Sequence, residues 1–558
     1  MISVSKKKWN NIQSDFRKVK KLSLDKNISL NLSNFFINRK FTNEEIFYSI
    51  NLPKIENIFS KNIDFIEGYN LLKKIIDNKD LTLIFGDYDV DGITSTAILI
   101  NFFKEINHPN YYILPDRFVD GYGPNLNLIK KKLKKNTKAV IFVDCGTNSN
   151  EVVDYLLKKN IKILVIDHHQ INSNVSKKIA LINPMKNTKK YFNLNLSAST
   201  LTFILISMFK YLDIKLEKFL LLSLLGSLCD VMPMRGINRY IAKCAFDNLN
   251  KSNNFGLNVL IENLNLKKKI DYKDLIFLIG PILNSAGRIS TANISVELLT
   301  LDNKKKILIT LKKLLFINNK RKEIESRNFK FIDTKKYYNN HNIIFEYNKN
   351  FHEGIIGILA GKLKEKFNRP AFVITHSNNI LKGSARSNSN FKLNNIISKL
   401  LNLKIIEKGG GHEQAAGFTL KIKNLSTLKK ILTDEYGKNK INKAYFYDLK
   451  HQISFSKSDF INDLKLLEPF GSGNSEPLLL FENLKIIKTF IIKNKHIKNI
   501  LKNHNGRQIQ SIAFDAVNTD IGMYLMNYKK NITLVGHINE IIWNSKKFYQ
   551  INIKDLII

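Results

Sequence analysis

Apolar residues follow two rhythms along this chain. Between about Leu81 and Leu181, short continuous apolar runs alternate with amphipathic stretches. The runs Leu81–Phe85, Tyr111–Leu114, Ala139–Val143, Ile163–Ile166 and Ala180–Ile182 read as buried strands, since a parallel sheet covered on both faces needs no polar alternation. Helical stretches around Thr94–Lys104 and Asn150–Lys159 separate several of them. That order predicts an α/β fold with a mostly parallel sheet. Apolar helices follow over Ser197–Leu212 and Glu217–Leu228, then a Lys-rich helical run over about Lys304–Phe331, read as a connector with a solvated face. A smaller α/β unit starts with a strand near Asn342–Tyr347 and continues through a helix over Gly354–Phe367 and a strand over Ala371–Thr375. Its glycines cluster at Lys382–Ser387 and Lys408–Gly417. From about Tyr445 the pattern turns strand-rich, with Lys485–Ile492, Gln508–Phe514, Ile532–Ile538 and Phe548–Ile553 predicting a small barrel or sandwich. The expected division is an N-terminal segment (1–60), a first domain (61–300), a helical connector (301–335), a second domain (336–437) and a β-rich domain (438–558).

The sharpest local feature is LTLIFGDYDVDG, where an apolar run ends in Asp87, Asp89 and Asp91. Carboxylates crowded at a strand end repel one another, and a bound divalent cation is the usual compensation. An acidic turn capping a helix from near Ile93 would need one aspartate, not three. Three further segments resemble it in position. Asp144 follows the strand Ala139–Val143, Asp167, His168 and His169 follow Ile163–Ile166, and Asp230 ends an apolar helix. Taken singly, each is better explained by local capping or packing. Taken together, three strands deliver acids to one sheet edge, where open α/β sheets collect ligands. Carboxylates with imidazole suit two Mn²⁺ or Mg²⁺ ions.

Composition adds less. The 558 residues are 44% hydrophobic, enough for sizeable cores in roughly three or four domains. The start MISVSKKKWN lacks a signal-peptide core, and the longest apolar stretch, Phe219–Cys229, is too short to span a bilayer. A soluble, cytoplasmic protein with no membrane contact is expected. Cys145, Cys229 and Cys244 lack zinc-ligand spacing and read as structural. The net charge of +40 points to a polyanion such as nucleic acid. The abundance of Lys, Asn and Ile also matches A/T-rich coding, so the bulk charge is discounted. Only 11 of the 88 basic residues are Arg. Arg288 and Arg386 fall in Gly-rich motifs, and Arg117, Arg235 and Arg239 lie near other candidate residues. Arginine binds phosphate bidentately as Lys cannot.

The four acidic segments resemble the motifs of the DHH phosphoesterase superfamily, named for the triplet at 167–169. GPILNSAGR (Gly280–Arg288), FHEGIIGILAGKL (Phe351–Leu363), GSARS (Gly383–Ser387), GGGHEQAAG (Gly409–Gly417) and EPFGSGNSEPLLLF (Glu468–Phe481) further resemble the RecJ family of bacterial single-strand-specific exonucleases. The resemblance implies a catalytic DHH domain, a DHH-associated domain and a C-terminal OB-fold. It implies 5′→3′ hydrolysis of single-stranded DNA by a two-metal mechanism in repair and recombination. It assigns Asp89, Asp91, Asp144, His168 and Asp230 as metal ligands, and Asp87 as a ligand or its close support. By the same carry-over His169 faces the scissile phosphate and Asp167 supports the histidines, while Arg288, His352, Arg386 and His412 line the phosphate path, with Gly410 and Gly411 allowing backbone amides near a phosphate. A single-stranded-DNA-binding protein as partner comes from the resemblance alone, and a monomer is expected. Val90, Ile282 and Ser285 depart from the family pattern, and the Arg missing at Ile282 touches a nucleic-acid contact. A smaller DHH phosphodiesterase or pyrophosphatase would lack the C-terminal barrel, and a non-catalytic DHH scaffold would have lost motif carboxylates that are all present. Phe514, Tyr524 and Phe548 are candidates for base stacking or for core packing.

Overall fold

The computed structural model describes residues 1–51, 57–171, 174–186, 195–212, 214–249, 254–266, 270–338, 342–377, 380–388, 391–438, 445–452, 458–527, 530–543 and 546–557. A five-stranded sheet of entirely parallel strands forms the first domain, in the order Asn110–Ile113, Thr82–Phe85, Ala139–Val143, Lys162–Ile166, Ala180–Ile182. Alternate residues face opposite layers. Leu83, Phe85, Val140 and Phe142 pack on the helices Leu126–Lys132 and Asn150–Lys158. Ile84, Ile141, Val143 and Leu164 pack on the other side, where Val90–Glu105, Ala198–Ser207 and Glu217–Cys229 form an inner helical layer. Every residue of Ala198–Ser207 is buried, which explains its lack of a polar face. Each fully buried Leu, Ile or Phe contributes about 1.5–3 kcal/mol. The chain runs from Thr82–Phe85 to one side of the sheet and then crosses to Ala139–Val143 on the other. A crevice opens at such a switch point, at the carboxyl ends of the strands.

The helix after the first acidic motif starts one turn earlier than expected, at Val90 rather than near Ile93. Asp89 is its N-cap, accepting from the amides of Asp91 and Gly92 at 3.0 and 3.2 Å. The connector helix Lys304–Lys330 buries Ile307, Leu311, Leu314, Asn318, Arg321 and Glu325 at helical spacing, leaving most of its lysines in solvent. It leads to a five-stranded mixed sheet, ordered Lys408–Gly411, Ala415–Leu420, Ile380–Arg386, Ala371–Ser377, Ile344–Tyr347. The two glycine clusters are strands here. Glycine is a poor strand former, so their pattern does not advertise them. GPILNSAGR is helical, over Gly280–Ile289, and is entered through a π-helical turn at Leu275–Ile279.

In the C-terminal domain the strand Leu479–Ile492 pairs with both His496–Lys502 and Ile532–Trp543. Gln508–Ala513 and Lys546–Ile557 complete a closed ring. Closure leaves the ring no free edge, the barrel solution of an OB-fold. The first fifty residues belong to this domain. Trp9–Asn11 pairs in parallel with Tyr445–Tyr447, and Leu32, Phe35, Phe36 and Ile46 enter the barrel's core beside Phe460, Leu467 and Phe470. Among the described residues no helix is long and apolar enough to cross a membrane.

Fully buried Asp555 fastens this arrangement, accepting from Ser3 Oγ, Ser5 Oγ and Trp9 Nε1 at 2.7, 2.8 and 2.8 Å. Replacing Asp555 by Ala leaves these buried donors without an acceptor. We expect a loss of about 3 kcal/mol from the unfolding free energy of the barrel domain, read from denaturant melts. A loss below about 0.5 kcal/mol, the level of an ordinary surface substitution, would refute the fastening role.

Candidate functional site

The crevice gathers five acidic or imidazole groups from three strand ends and one helix end. Asp87 and Asp89 follow Thr82–Phe85, Asp144 follows Ala139–Val143, His168 follows Lys162–Ile166, and Asp230 caps Glu217–Cys229. Asp87, Asp144 and His168 are buried. His168 Nε2 lies 3.1 Å from Asp144 and 3.5 Å from Asp230. Asp87, Asp89 and Asp144 each offer an oxygen within 4.8 Å of the others, as do His168, Asp230 and His412 with their ring and carboxylate atoms. Asp144 holds a left-handed backbone at φ 61° and Val231, next to Asp230, one at φ 58°. Such conformations cost about 1–3 kcal/mol and persist only where surroundings enforce them.

Asp91 differs from its neighbours. Its carboxylate accepts from the amides of Ala198 and Ser199 at 2.7 and 3.0 Å, the N-terminus of the helix Ala198–Ser207. A Cβ on Gly226 would strike its Oδ1, so the helix carrying Asp230 packs directly on it. Asp91 also lies 3.8 Å from His168, and one helix amide on each oxygen leaves it further acceptor capacity. Within GDYDVDG, Asp87 thus joins Asp89 and Asp144 in one cluster, and Asp91 lies beside His168 while also bracing the helix N-terminus.

Burial pushes the Asp87, Asp144 and Asp230 carboxyls well above the carboxylate range, with repulsion from neighbouring aspartates adding to it. Burial also lifts Asp91, to about 6. Buried Asp87 Oδ1 and Asp230 Oδ2 lack a hydrogen-bond partner. Repelling carboxylates with orphaned oxygens and a nearby imidazole match what a divalent cation takes up.

Asp167 supports the histidines. It accepts from the amides of Thr147, His168 and His169 and from His169 Nδ1 at 2.7 Å. Burial alone would raise Asp167, but the charge and hydrogen bond of His169 outweigh it and hold the carboxyl below its usual range. Burial works against a charged His169 too, and Asp167 overrides it, pushing the imidazole up to about 9. His168 is driven the other way, by burial and then by charged His169. One ring is kept neutral and its neighbour cationic. Asn183, absent from the sequence reading, donates to Thr147 Oγ1 and to the His169 carbonyl. So is Tyr122, whose hydroxyl lies 3.0 Å from His169 Nε2. Their one sequence signal is position, just past strands of the same sheet edge.

The second domain forms the opposite wall. The His412 ring stacks 5.7 Å from His168 and 5.8 Å from His169. Gly410 has open space around it, and Gly411 takes φ 144°. Arg386 donates to Ser384 Oγ and the Ala385 carbonyl, and Arg288 to the Gly354 carbonyl. Arg117 lies over the Tyr88 ring at 5.2 Å. The three guanidiniums share one electrostatic neighbourhood. Burial, then Arg117 and Arg386, lowers Arg288 to about 9, and burial with Arg117 lowers Arg386 to about 10. Among the described residues none of the three has a carboxylate partner within salt-bridge distance. His352 stands apart from the carboxylates, with its ring edge-on to Phe118 at 5.7 Å.

Other expectations change. Arg235 pairs with Glu45 at 2.6 Å, and buried Arg239 donates to backbone carbonyls of the C-terminal domain. Both join domains and neither faces the crevice cluster. Ile282 and Ser285 are buried in helix packing, with Ser285 Oγ bonded to the Ile282 carbonyl at 2.6 Å. At Ile282 the departure therefore touches the core and no nucleic-acid surface. Phe514, Tyr524 and Phe548 are exposed, which removes the core-packing alternative for all three. Buried Cys145 donates to backbone carbonyls, consistent with a structural thiol.

Known proteins share this arrangement. The DHH family, N-terminal domain, matches residues 82–227, the DHHA1 domain 340–438 and the RecJ OB domain 447–555. The single-stranded-DNA-specific exonuclease RecJ of Bacillus subtilis is 26% identical over 574 residues, covering 99% of this chain and 71% of that protein. The Haemophilus influenzae RecJ is 27% identical, covering 85% of this chain and 87% of its own length. The crystal structure of Thermus thermophilus RecJ in complex with Mn²⁺ superposes with a TM-score of 0.81 at 20% identity, over 98% of this chain and 79% of that one. A second structure of the same protein holds Mg²⁺. Three domain models matched in order, with similarity running nearly end to end, give the chain the DHH, DHHA1 and RecJ OB domain arrangement and make it similar throughout to the RecJ single-stranded-DNA-specific exonucleases.

Proposed function

We propose that the protein is a metal-dependent exonuclease that degrades single-stranded DNA from the 5′ end, in DNA repair and recombination. The observation that carries this reading is the facing of two unpaired sets across one crevice: acids with orphaned oxygens on the sheet edge, and arginines without counter-charge beside the second domain. One set needs cations and the other needs an anion. A phosphodiester with divalent ions satisfies both.

Asp87, Asp89 and Asp144 would hold one cation, and Asp144, His168 and Asp230 a second. When bound, the pair supplies an activated water and charge neutralisation at the departing oxygen. Neutral His168 keeps a lone pair free for ligation. Cationic His169, fixed by Asp167, donates to a phosphoryl oxygen as charge builds there. Arg288, Arg386 and Arg117 grip phosphates along the strand, His412 closes the site from above, and exposed Phe514, Tyr524 and Phe548 offer bases stacking surfaces on the barrel. Specificity is geometric, admitting one strand and excluding a duplex. A monomeric cytoplasmic enzyme working beside a single-stranded-DNA-binding protein completes the reading.

Three outcomes are expected. Asp144→Asn lowers Mn²⁺-dependent digestion of end-labelled single strands by more than about a hundredfold with the fold intact by circular dichroism; near-normal turnover at saturating Mn²⁺ refutes the site. Arg386→Ala weakens binding of single-stranded DNA about tenfold or more and flattens the slope of log K against log salt by about 0.7 for the lost contact, with Mn²⁺ affinity unchanged. An unaltered salt series argues against the clamp. The third outcome is a pH dependence. A carboxyl raised by folding holds its proton more tightly folded than unfolded, so the metal-free protein loses stability as pH rises from about 4 through the Asp91 value of about 6 and beyond. Cation binding removes that loss and releases protons. The melting gain from Mn²⁺ over EDTA should therefore be larger at pH 8 than at pH 5; equal gains would contradict it.

A further inference from the structure

The stretch Glu468–Phe481 has no part in the chemistry above, yet it sits at the joint between barrel and catalytic domain. Gly471 and Asn474 close a tight turn through mutual backbone hydrogen bonds of 2.9 and 3.2 Å. Asn474 stiffens it, donating to the Leu467 and Pro469 carbonyls and accepting from Arg39 at 2.9 Å. The turn grips the segment that follows Asp230. Met234 N donates to the Ser472 carbonyl at 2.7 Å, and the fully buried Met234 side chain lies where a Cβ on Gly471 would come within 2.5 Å. Arg239, the largest fully buried side chain, donates to the carbonyls of Leu466, Leu467 and Glu468 just before the turn.

Asp91 and Asp167 are held by backbone amides that donate to their carboxylates. Asp230 has no such brace, since its buried Oδ2 lacks a hydrogen bond. Apart from His168 Nε2 at 3.5 Å, its carboxylate is aimed by its backbone, and that backbone turns through Val231 at φ 58°, which a β-branched residue adopts only under constraint. The helix before Asp230 fixes one side of this turn. On the other side, four residues on, stands Met234.

We propose that the Gly471–Asn474 turn is a positioning element of the metal centre: by seating Met234 it sets the direction of Asp230, so that the barrel domain completes the second cation site. The proposal rests on Asp230 being a ligand, as read under Proposed function. The barrel then does more than hold DNA. The catalytic domain alone carries every ligand but not the aim of one of them.

The test is Mn²⁺ binding to the whole 558-residue chain without DNA, by calorimetry and by paramagnetic resonance, for the wild type and for Gly471→Ala, Gly471→Ala with Met234→Ala, Asn474→Ala, and Met234→Ala alone. The first variant drives a methyl into Met234, and the second removes the atom it strikes. We expect the wild type to bind two Mn²⁺, and folded Gly471→Ala and Asn474→Ala to bind one of them at least fivefold more weakly. The double variant should return to within twofold of the wild type or of Met234→Ala alone. A melting point that falls in Gly471→Ala and Asn474→Ala while both Mn²⁺ affinities stay at the wild-type value makes the turn mere domain glue and overturns the proposal. Should Gly471→Ala fail to fold, Asn474→Ala and the double variant decide in the same way. A wild type that binds fewer than two Mn²⁺ overturns the two-cation reading instead.

Discussion

Mutual repulsion among buried carboxylates governs this molecule. Asp87, Asp144 and Asp230 are pressed together with little water between them, and burial and then mutual repulsion push each toward its neutral form. Such a cluster is unfavourable unless cations neutralise it, so the rest of the structure must hold it against its own tendency to spread. Asp91 braces two helices beneath it, and Asp167 converts His169 into a standing positive charge at its rim. The parallel sheet supplies rigidity, because its strands are buried on both faces and cannot relax outward.

The same repulsion, with opposite sign, recurs across the crevice. Beyond burial, Arg117 and Arg386 lower the basicity of Arg288, and Arg117 lowers that of Arg386. The first domain supplies the acids with Arg117 and Arg288, and the second adds Arg386 and His412, so both domains line the slot. His412 stacked over the histidine pair and Phe118 against His352 show how near the two walls approach.

Much of this was legible from residue order. Continuous apolar runs reported the parallel strands to within a residue or two, because burial on both faces leaves no alternation to misread. The acids at their ends were legible for the same reason. The second role of Asp91 was not, since nothing in GDYDVDG reveals that its carboxylate also meets the amides of Ala198 and Ser199, more than a hundred residues on. Arg235 and Arg239 misled because an arginine retained among lysines suggests phosphate, whereas these reach backbone carbonyls and Glu45 across a domain joint. The strands around Gly383 and Gly410 were hidden by the low strand preference of glycine. The N-terminal helices stayed unassigned because their apolar faces fit a core encoded at the other end of the chain.

That last arrangement governs the order of events during synthesis. Trp9 must wait for Tyr445, and Ser3 for Asp555. At about 5–20 residues per second, the wait for Tyr445 is roughly 20 to 90 s. Throughout it Leu32, Phe35 and Phe36 have no partner, while the parallel sheet behind them can already close. A segment made so long before its partners is thus among the last to fold, and its apolar face stays uncovered until the barrel is complete.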